Sequence, residues 1–277
     1  MNLVLAAGVV IGAVTIAIVV MLLVRRRAPA GGHFNDGDRA AGVFGVLATG
    51  FSVLLGFIVF LAFSSYDASR TGAEDEALIV AQQVETAQLL PASVSQVLTA
   101  DLVCYARSVA GVQWERMEHG TLGEGLNPWG ARMFRTIEKV EPKTASEQAA
   151  YSKWLDQTSD REAARNDRIH GAAGVIPTPL WLVIFFTSGV ILLYMLFFAD
   201  RAEGPFVQAL LMGSVVGVIV AMLLLLQFLD NPFHPGVGGL QPVAMERTVR
   251  VIDQERRIAD IYGPVPCDAK GRALPTS

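Results

Sequence analysis

One periodic stripe holds the residues of this chain best suited to chemistry. Taking every third or fourth position from Gly45 gives Gly45, Thr49, Ser52, Gly56, Val59, Phe63, Tyr66 and Arg70, then Ala73, Ala77, Val80, Val84 and Ala87. Residues at this 4-3 spacing share one face of a helix. The face begins small and hydroxylated, narrows at Phe63 and Tyr66, and carries its sole charge at Arg70. Several copies arranged about an axis would make a wettable conduit with Gly45, Thr49, Ser52, Gly56 and Phe63 as its lining. Arg70 would add a ring of guanidinium groups favouring anions. The same spacing of small residues also lets helices pack closely in lipid, which is their commoner use, with Arg70 paired to Asp67 or Glu74.

The remaining candidates are weaker. The sequence has no P-loop, nucleophile elbow or metal box, so an enzyme is not expected, nor a cofactor or bound metal. Consecutive residues of a helix point in different directions, so Glu74-Asp75-Glu76 reads as a solvated face and not a cation site. Asn35-Asp36-Gly37-Asp38 lacks the length and terminal Glu of a calcium loop and reads as a turn. His33, His119, His170 and His234 have no ligand spacing. Cys104 and Cys267 pair only if they stand in an oxidising compartment. The residues around them favour free thiols: Cys104 lies in the apolar run Leu102-Val103-Cys104-Tyr105, and Cys267 in a proline-rich tail.

The elements that must position these residues are membrane spans. Leu3 to Val24, Val43 to Phe63, Leu180 to Phe198 and Phe206 to Leu229 contain no charge, and each approaches or exceeds the ~20 residues a helix needs to cross a bilayer. Lipid offers the backbone no hydrogen-bond partner, and runs this long exclude barrel strands. Composition agrees, with 52% hydrophobic residues, 17% charged residues and a mean hydropathy of +0.42. The fold class is therefore all-α, a four-span integral membrane protein with spans grouped two and two, expected as a multi-pass protein of the cell membrane. The first span has no basic segment before it and Arg25-Arg26-Arg27 after it, so it reads as an uncleaved anchor.

The domains expected are a first hairpin over 1–63, a helical extramembrane insertion over 64–179, a second hairpin over 180–229 and a tail over 230–277. The second span continues as one helix to about Leu90, roughly 70 Å in all, and Pro91 ends it. A helix from about Ala92 to Ala110 presents Val94, Leu98, Leu102, Tyr105 and Val109 on one side. A short helix over 131–140 follows, and Thr144-Ala145-Ser146-Glu147 has capping-box spacing for a helix reaching about His170. Gly171-Ala172-Ala173-Gly174 reads as the hinge into the third span. The tail should hold one helix near 243–261, with disorder from Gly263 onward. The insertion carries 11 basic and 16 acidic residues, a balance of −5, which argues against a nucleic-acid partner.

An even number of spans places the insertion and the tail on one side and both short loops on the other. The short-loop side holds Arg25, Arg26, Arg27, Arg39 and Arg201, which would make it cytoplasmic. The other side also has arginines near span ends, so charge leaves the orientation open.

The chain resembles the bestrophin-like family of uncharacterised bacterial membrane proteins, built on a domain of unknown function. The resemblance rests on Leu54-Leu55-Gly56-Phe57, Tyr66, Arg70, Glu76-Ala77, Leu90-Pro91, Tyr105, Leu229-Asp230-Asn231-Pro232-Phe233 and Gly236, in that order and spacing. The two-plus-two arrangement is also similar to true bestrophins, pentameric anion channels whose second span lines the pore. The resemblance thus implies a homo-oligomer, a pentamer, in the lipid bilayer, passing small anions along the second span. It also implies a cytosolic insertion, against the arginine count. The acidic calcium clasp of animal bestrophins has no counterpart, because Asp253, Glu255 and Asp260 are interleaved with Arg256 and Arg257. A different class of function stays open beside this one, a non-conducting membrane scaffold or sensory protein that binds a partner through its helical insertion.

Overall fold

The computed structural model describes residues 3–29, 33–34, 36–121, 127–258 and 264–275. Among the described residues the structure is helical, with one isolated antiparallel bridge between Cys267 and Ala273. In chain order the helices are α1 (Leu3–Arg27), α2 (Gly37–Ala87), α3 (Ala92–Ser108), α4 (Trp114–Glu118), α5 (Pro128–Ile137), α6 (Ala145–His170), α7 (Thr178–Phe197), α8 (Pro205–Asp230) and α9 (Val243–Ile258). Four of them, α1, α2, α7 and α8, are long and apolar enough to cross a membrane. Asp36 caps α2, its carboxylate accepting from the Arg39 N–H at 3.0 Å; Asn35 lies outside the described residues.

Internal packing divides the chain into two units. The first contains residues 1–65, 175–230 and 236–238. Here α1 packs against α8 through glycines: a Cβ on Gly213 would stand 3.2 Å from Ile18 and 3.4 Å from Val14, and one on Gly217 3.5 Å from Val14. This is the use of small residues expected in lipid, where close approach replaces the hydrophobic driving force. Met21, Met212 and Val216 fill the seam between these helices. The two short loops are tied together by guanidinium groups, Arg25 donating to the carbonyls of Arg201 and Glu203, and Arg201 to that of Arg26. At the end of α8, buried Asp230 accepts from the N–H groups of Val175 and Ile176 at 2.7 and 2.9 Å. Those donors would otherwise be unpaired ahead of the first turn of α7.

The second unit holds residues 66–174, 231–235 and 239–277. Its core gathers Val80 and Val84 of α2, Leu98, Leu102, Tyr105 and Val109 from the α3 run, Met133 and Ile137 of α5, Trp154 of α6 and Ile252 of α9. Of the expected inner face of α3, Leu98, Leu102, Tyr105 and Val109 are fully buried and Val94 partly so; Val103, Cys104 and Ala106 are fully buried as well, because neighbouring elements surround the helix. A π-helical segment, Val109–Gln113, joins α3 to α4. Thr144 caps α6, its hydroxyl accepting from Glu147 N at 3.1 Å, while the Glu147 carboxylate reaches back to Lys143 N at 2.6 Å. That is a capping box displaced by one donor. Gly72 lies where α2 meets α6, and a Cβ there would come within 2.5 Å of Arg168 N.

Two expectations are corrected in this unit. Residues 264–275 are not disordered: Gly271, at φ +74°, lies so close to α3 that a Cβ would stand 2.2 Å from Ser108 N. The Gly271 carbonyl accepts from Trp129 Nε1 at 2.8 Å. The cysteines are not free thiols but form a Cys104–Cys267 disulfide, with Cys104 fully buried and Cys267 nearly so. The proline-rich tail looked unstructured because its order comes from contacts with α3 and α5, which periodicity does not display.

Candidate functional site

Within the first unit, the stripe of α2 is open. Gly45, Thr49, Ser52, Gly56 and Phe63 are all exposed, and a Cβ added at Gly45 or Gly56 would meet nothing within 4 Å. The buried side of α2 is a different one, formed by Phe51, Leu55, Ile58 and Ala62. Small residues that serve close packing inside this chain look like Gly213; the glycines of the α2 stripe have no such neighbour. Ser52 Oγ donates to the Ala48 carbonyl at 2.8 Å, which uses its donor and leaves only acceptor capacity. A hydroxyl so engaged makes the face wettable but gives an anion little by itself. Ser52, Gly56 and Val59 also border an apolar cavity of about 610 Å³ completed by Ile191 of α7 and by Ser214, Val218 and Leu225 of α8.

Arg70 belongs to the second unit. It is exposed, and its Nε stands 3.2 Å from Glu74 Oε1, one turn further along α2. An exposed i,i+4 pair of this kind contributes about 0.3–0.5 kcal/mol, so the guanidinium is held loosely. Arg70 and Glu74 border a cavity of about 660 Å³ with Tyr66, Trp114, Gln241 and Arg247. The stripe then changes character, since Ala77, Val80, Val84 and Ala87 are buried in the core.

The acid triplet is not uniformly solvated, which corrects the sequence reading. Glu74 and Asp75 are exposed, but Glu76 is fully buried and lies at the centre of a polar network. Its Oε2 accepts from Arg168 Nε, and its Oε1 accepts from Arg168 Nη2 at 3.2 Å and from the Tyr105 hydroxyl at 2.6 Å. Arg168 also donates to Gln113 Oε1 at 3.2 Å. Arg161 stacks its guanidinium 4.8 Å above the Tyr105 ring and donates to Gln83 Oε1 at 2.7 Å. Burial opposes the Arg168 charge, and the Glu76 carboxylate with its hydrogen bonds outweighs it, holding Arg168 above its usual value. Burial and then the Glu76 charge push Tyr105 well above the usual phenol value, so it remains the donor.

Asp101 is a second buried acid that the sequence did not announce. Its side chain is wholly buried, and Arg132 Nε stands 3.1 Å from Oδ2 without the alignment of a hydrogen bond. Burial raises the Asp101 carboxyl from 3.8 to about 6, opposed by the Arg132 charge.

The bestrophin-like domain profile matches residues 11–244, most of the chain. The chain belongs to the bestrophin-like family. No curated protein matches it. Among solved structures, this bestrophin-like chain is similar to variants of a bacterial bestrophin homologue from Klebsiella pneumoniae. One aligns with a TM-score of 0.66 at 12% identity, covering 92% of this chain and 99% of that one. Another aligns with a TM-score of 0.67 at 14% identity, covering 88% and 98%. A further structure, of a membrane protein, gives 0.65 at 12% identity over 96% and 100%. At such identities the likeness is one of fold. Of the residues that first suggested the family, Glu76 and Tyr105 bond to one another, Asp230 caps the entry to α7, and Phe233 packs edge-on against Trp114 at 5.2 Å.

Proposed function

We propose that this bestrophin-like protein assembles in the cell membrane as a homo-oligomer, a pentamer by family resemblance, and conducts small anions passively along α2. In this reading Gly45, Thr49, Ser52, Gly56 and Phe63 line the conduit and Arg70 supplies the selectivity charge. The observation carrying the proposal is the open stripe: small and hydroxylated residues in a membrane-spanning helix, exposed and unpacked within their own chain. Such a face needs either neighbouring copies or water. A central axis offers water to the polar edge, while the apolar flanks meet adjacent subunits.

Arg70 acts as a fixed positive charge partly offset by Glu74. Selectivity then depends on a ring of identical guanidinium groups, whose summed field exceeds that of a single exposed charge. The experiment is halide flux into proteoliposomes containing the size-characterised oligomer, with empty and heat-denatured controls. Flux above both controls, with anion preference reduced or reversed in Arg70→Glu, supports the reading. An intact oligomer that passes no halide at either voltage sign contradicts it, and capture of a protein partner then becomes the next step.

A further inference from the structure

We infer that the helical unit containing α3, α5, α6 and the C-terminal tail stands on the oxidising, extracytoplasmic side of the membrane, with both short loops between spans in the cytoplasm. This is the reverse of the orientation that the resemblance to true bestrophins implies. Two independent observations carry it, and neither depends on whether the protein conducts.

The first is the disulfide. Cys104 is in the C-terminal half of α3 and Cys267 in the tail, 163 residues apart in sequence, with Cα atoms 5.7 Å apart. The chain around Cys267 is fixed by further contacts. Asp268 Oδ1 accepts from Lys270 N at 2.9 Å and Arg272 N at 2.8 Å, turning the chain, and Trp129 Nε1 holds Gly271 against α3. Lys270 Nζ reaches Glu115 at 2.7 Å. Forming the bond removes two electrons and two protons from the two thiols. A protein disulfide oxidant of an extracytoplasmic compartment accepts them by thiol exchange. In the cytoplasm the glutathione and thioredoxin systems keep such thiols reduced.

The second is the distribution of arginine. The loops joining α1 to α2 and α7 to α8 carry Arg25, Arg26, Arg27, Arg39 and Arg201 within or beside them. Short loops are the segments in which basic residues fix orientation, whereas segments longer than about 60 residues translocate largely regardless of charge. The insertion between α2 and α7 exceeds that length, so its arginines do not oppose the short loops. Arg161 and Arg168 in particular are structural, each 1% exposed. In the tail, Arg247 and Arg250 stand at the edge of the counted range. The arginine count and the chemistry of the cysteine pair thus give the same orientation. It follows that Arg70 and its cavity face the outside, where ions would meet the guanidinium before the spans.

The test uses the full chain in cells with a membrane-impermeant maleimide. Lys153→Cys on α6 and Glu138→Cys after α5 report on the helical unit, and Ala202→Cys reports on a short loop; all three native positions are exposed. The native cysteines, being paired, contribute no background. In intact spheroplasts, Lys153→Cys and Glu138→Cys should label to within about twofold of the permeabilised level, and Ala202→Cys to under about one-tenth of it. The opposite pattern overturns the inference. A second arm needs no substitution: wild-type membranes quenched in acid, denatured and alkylated should gain two alkyl groups only after reduction. Alkylation without reductant would remove the disulfide argument and overturn the inference as stated. Loss of halide flux would leave both readouts unchanged, so failure of the conduction reading is separable from failure of this one.

Discussion

Replacing Glu76 by Gln isolates what the buried network contributes. The amide keeps the volume of the side chain and an oxygen for the Tyr105 hydroxyl, but leaves the Arg168 guanidinium, 1% exposed, without a countercharge. Removing one partner of a buried ion pair costs about 3–5 kcal/mol, because the remaining charge is stranded in low dielectric. For a cooperative unit of about 150 residues, each kcal/mol lowers the midpoint by roughly 2–4 °C, so a fall on the order of 10 °C is expected. The double variant Glu76→Gln with Arg168→Met removes both charges and should recover most of that loss, since apolar replacement of a whole pair is often near neutral. The exposed pair is the control: Glu74→Gln should change stability by under about 0.5 kcal/mol. Thermal unfolding of the detergent-purified protein, followed by intrinsic tryptophan fluorescence, reports on this unit because Trp114, Trp129 and Trp154 are buried in it. A Glu76→Gln protein within about 1 kcal/mol of wild type would refute the reasoning, as would a double variant whose loss equals the sum of the singles.

Glu74→Gln frees the Arg70 guanidinium from its partner and should increase halide preference over cations in reversal-potential measurements, the opposite direction to Arg70→Glu. Removing the disulfide with Cys104→Ser and Cys267→Ser should lower the unfolding midpoint, measured against wild type without reductant. Chain entropy for a closed loop of this length sets a ceiling of about 5 kcal/mol, and about 2–4 kcal/mol is the usual range. Asp101 gives a pH signature: its folded carboxyl titrates near 6 and its unfolded one near 3.8, so the native state binds the extra proton between those values and stability falls as pH rises through that window. Asp101→Asn should flatten this fall and raise the unfolding midpoint at pH 7.5 relative to wild type, checked by midpoints taken from pH 4 to 8.

The spans and the long α2 helix were legible because charge-free runs and an unbroken 4-3 seam are local patterns. The Thr144 cap and the break at Pro91 were legible for the same reason. What stayed hidden depends on which side of a helix meets another element. Glu76 looks like its neighbours Glu74 and Asp75 until α6 brings Arg168 to it, 92 residues away. Asp101 is the sole acid of α3 and directly precedes the apolar run Leu102-Val103-Cys104-Tyr105, and that placement was the available hint. Gly72 was indistinguishable from other glycines before α6 was seen crossing it. The order in the tail was masked by its prolines, although Trp129 and the two cysteines were the residues that organise it. The stripe from Gly45 to Arg70 was fully visible in the sequence, but the openness of Gly45, Thr49, Ser52, Gly56 and Phe63 was not, and that openness excludes a packing seam within the chain while leaving neighbouring copies or water to cover the face.

Cysteine accessibility along α2 tests the central claim most directly. Thr49→Cys and Ser52→Cys lie on the stripe, while Phe57→Cys and Leu61→Cys lie on the exposed apolar side of the same helix, rotated by about 80° or more from both. In proteoliposomes, a small anionic thiol reagent should modify the stripe positions and reduce halide flux by about tenfold or more, as expected where the pore wall meets permeating ions. The apolar positions should react slowly and leave flux unchanged. Stripe positions that resist the reagent in a conducting oligomer, or equal inhibition from both sides of the helix, would contradict the assignment of this face as the conduit.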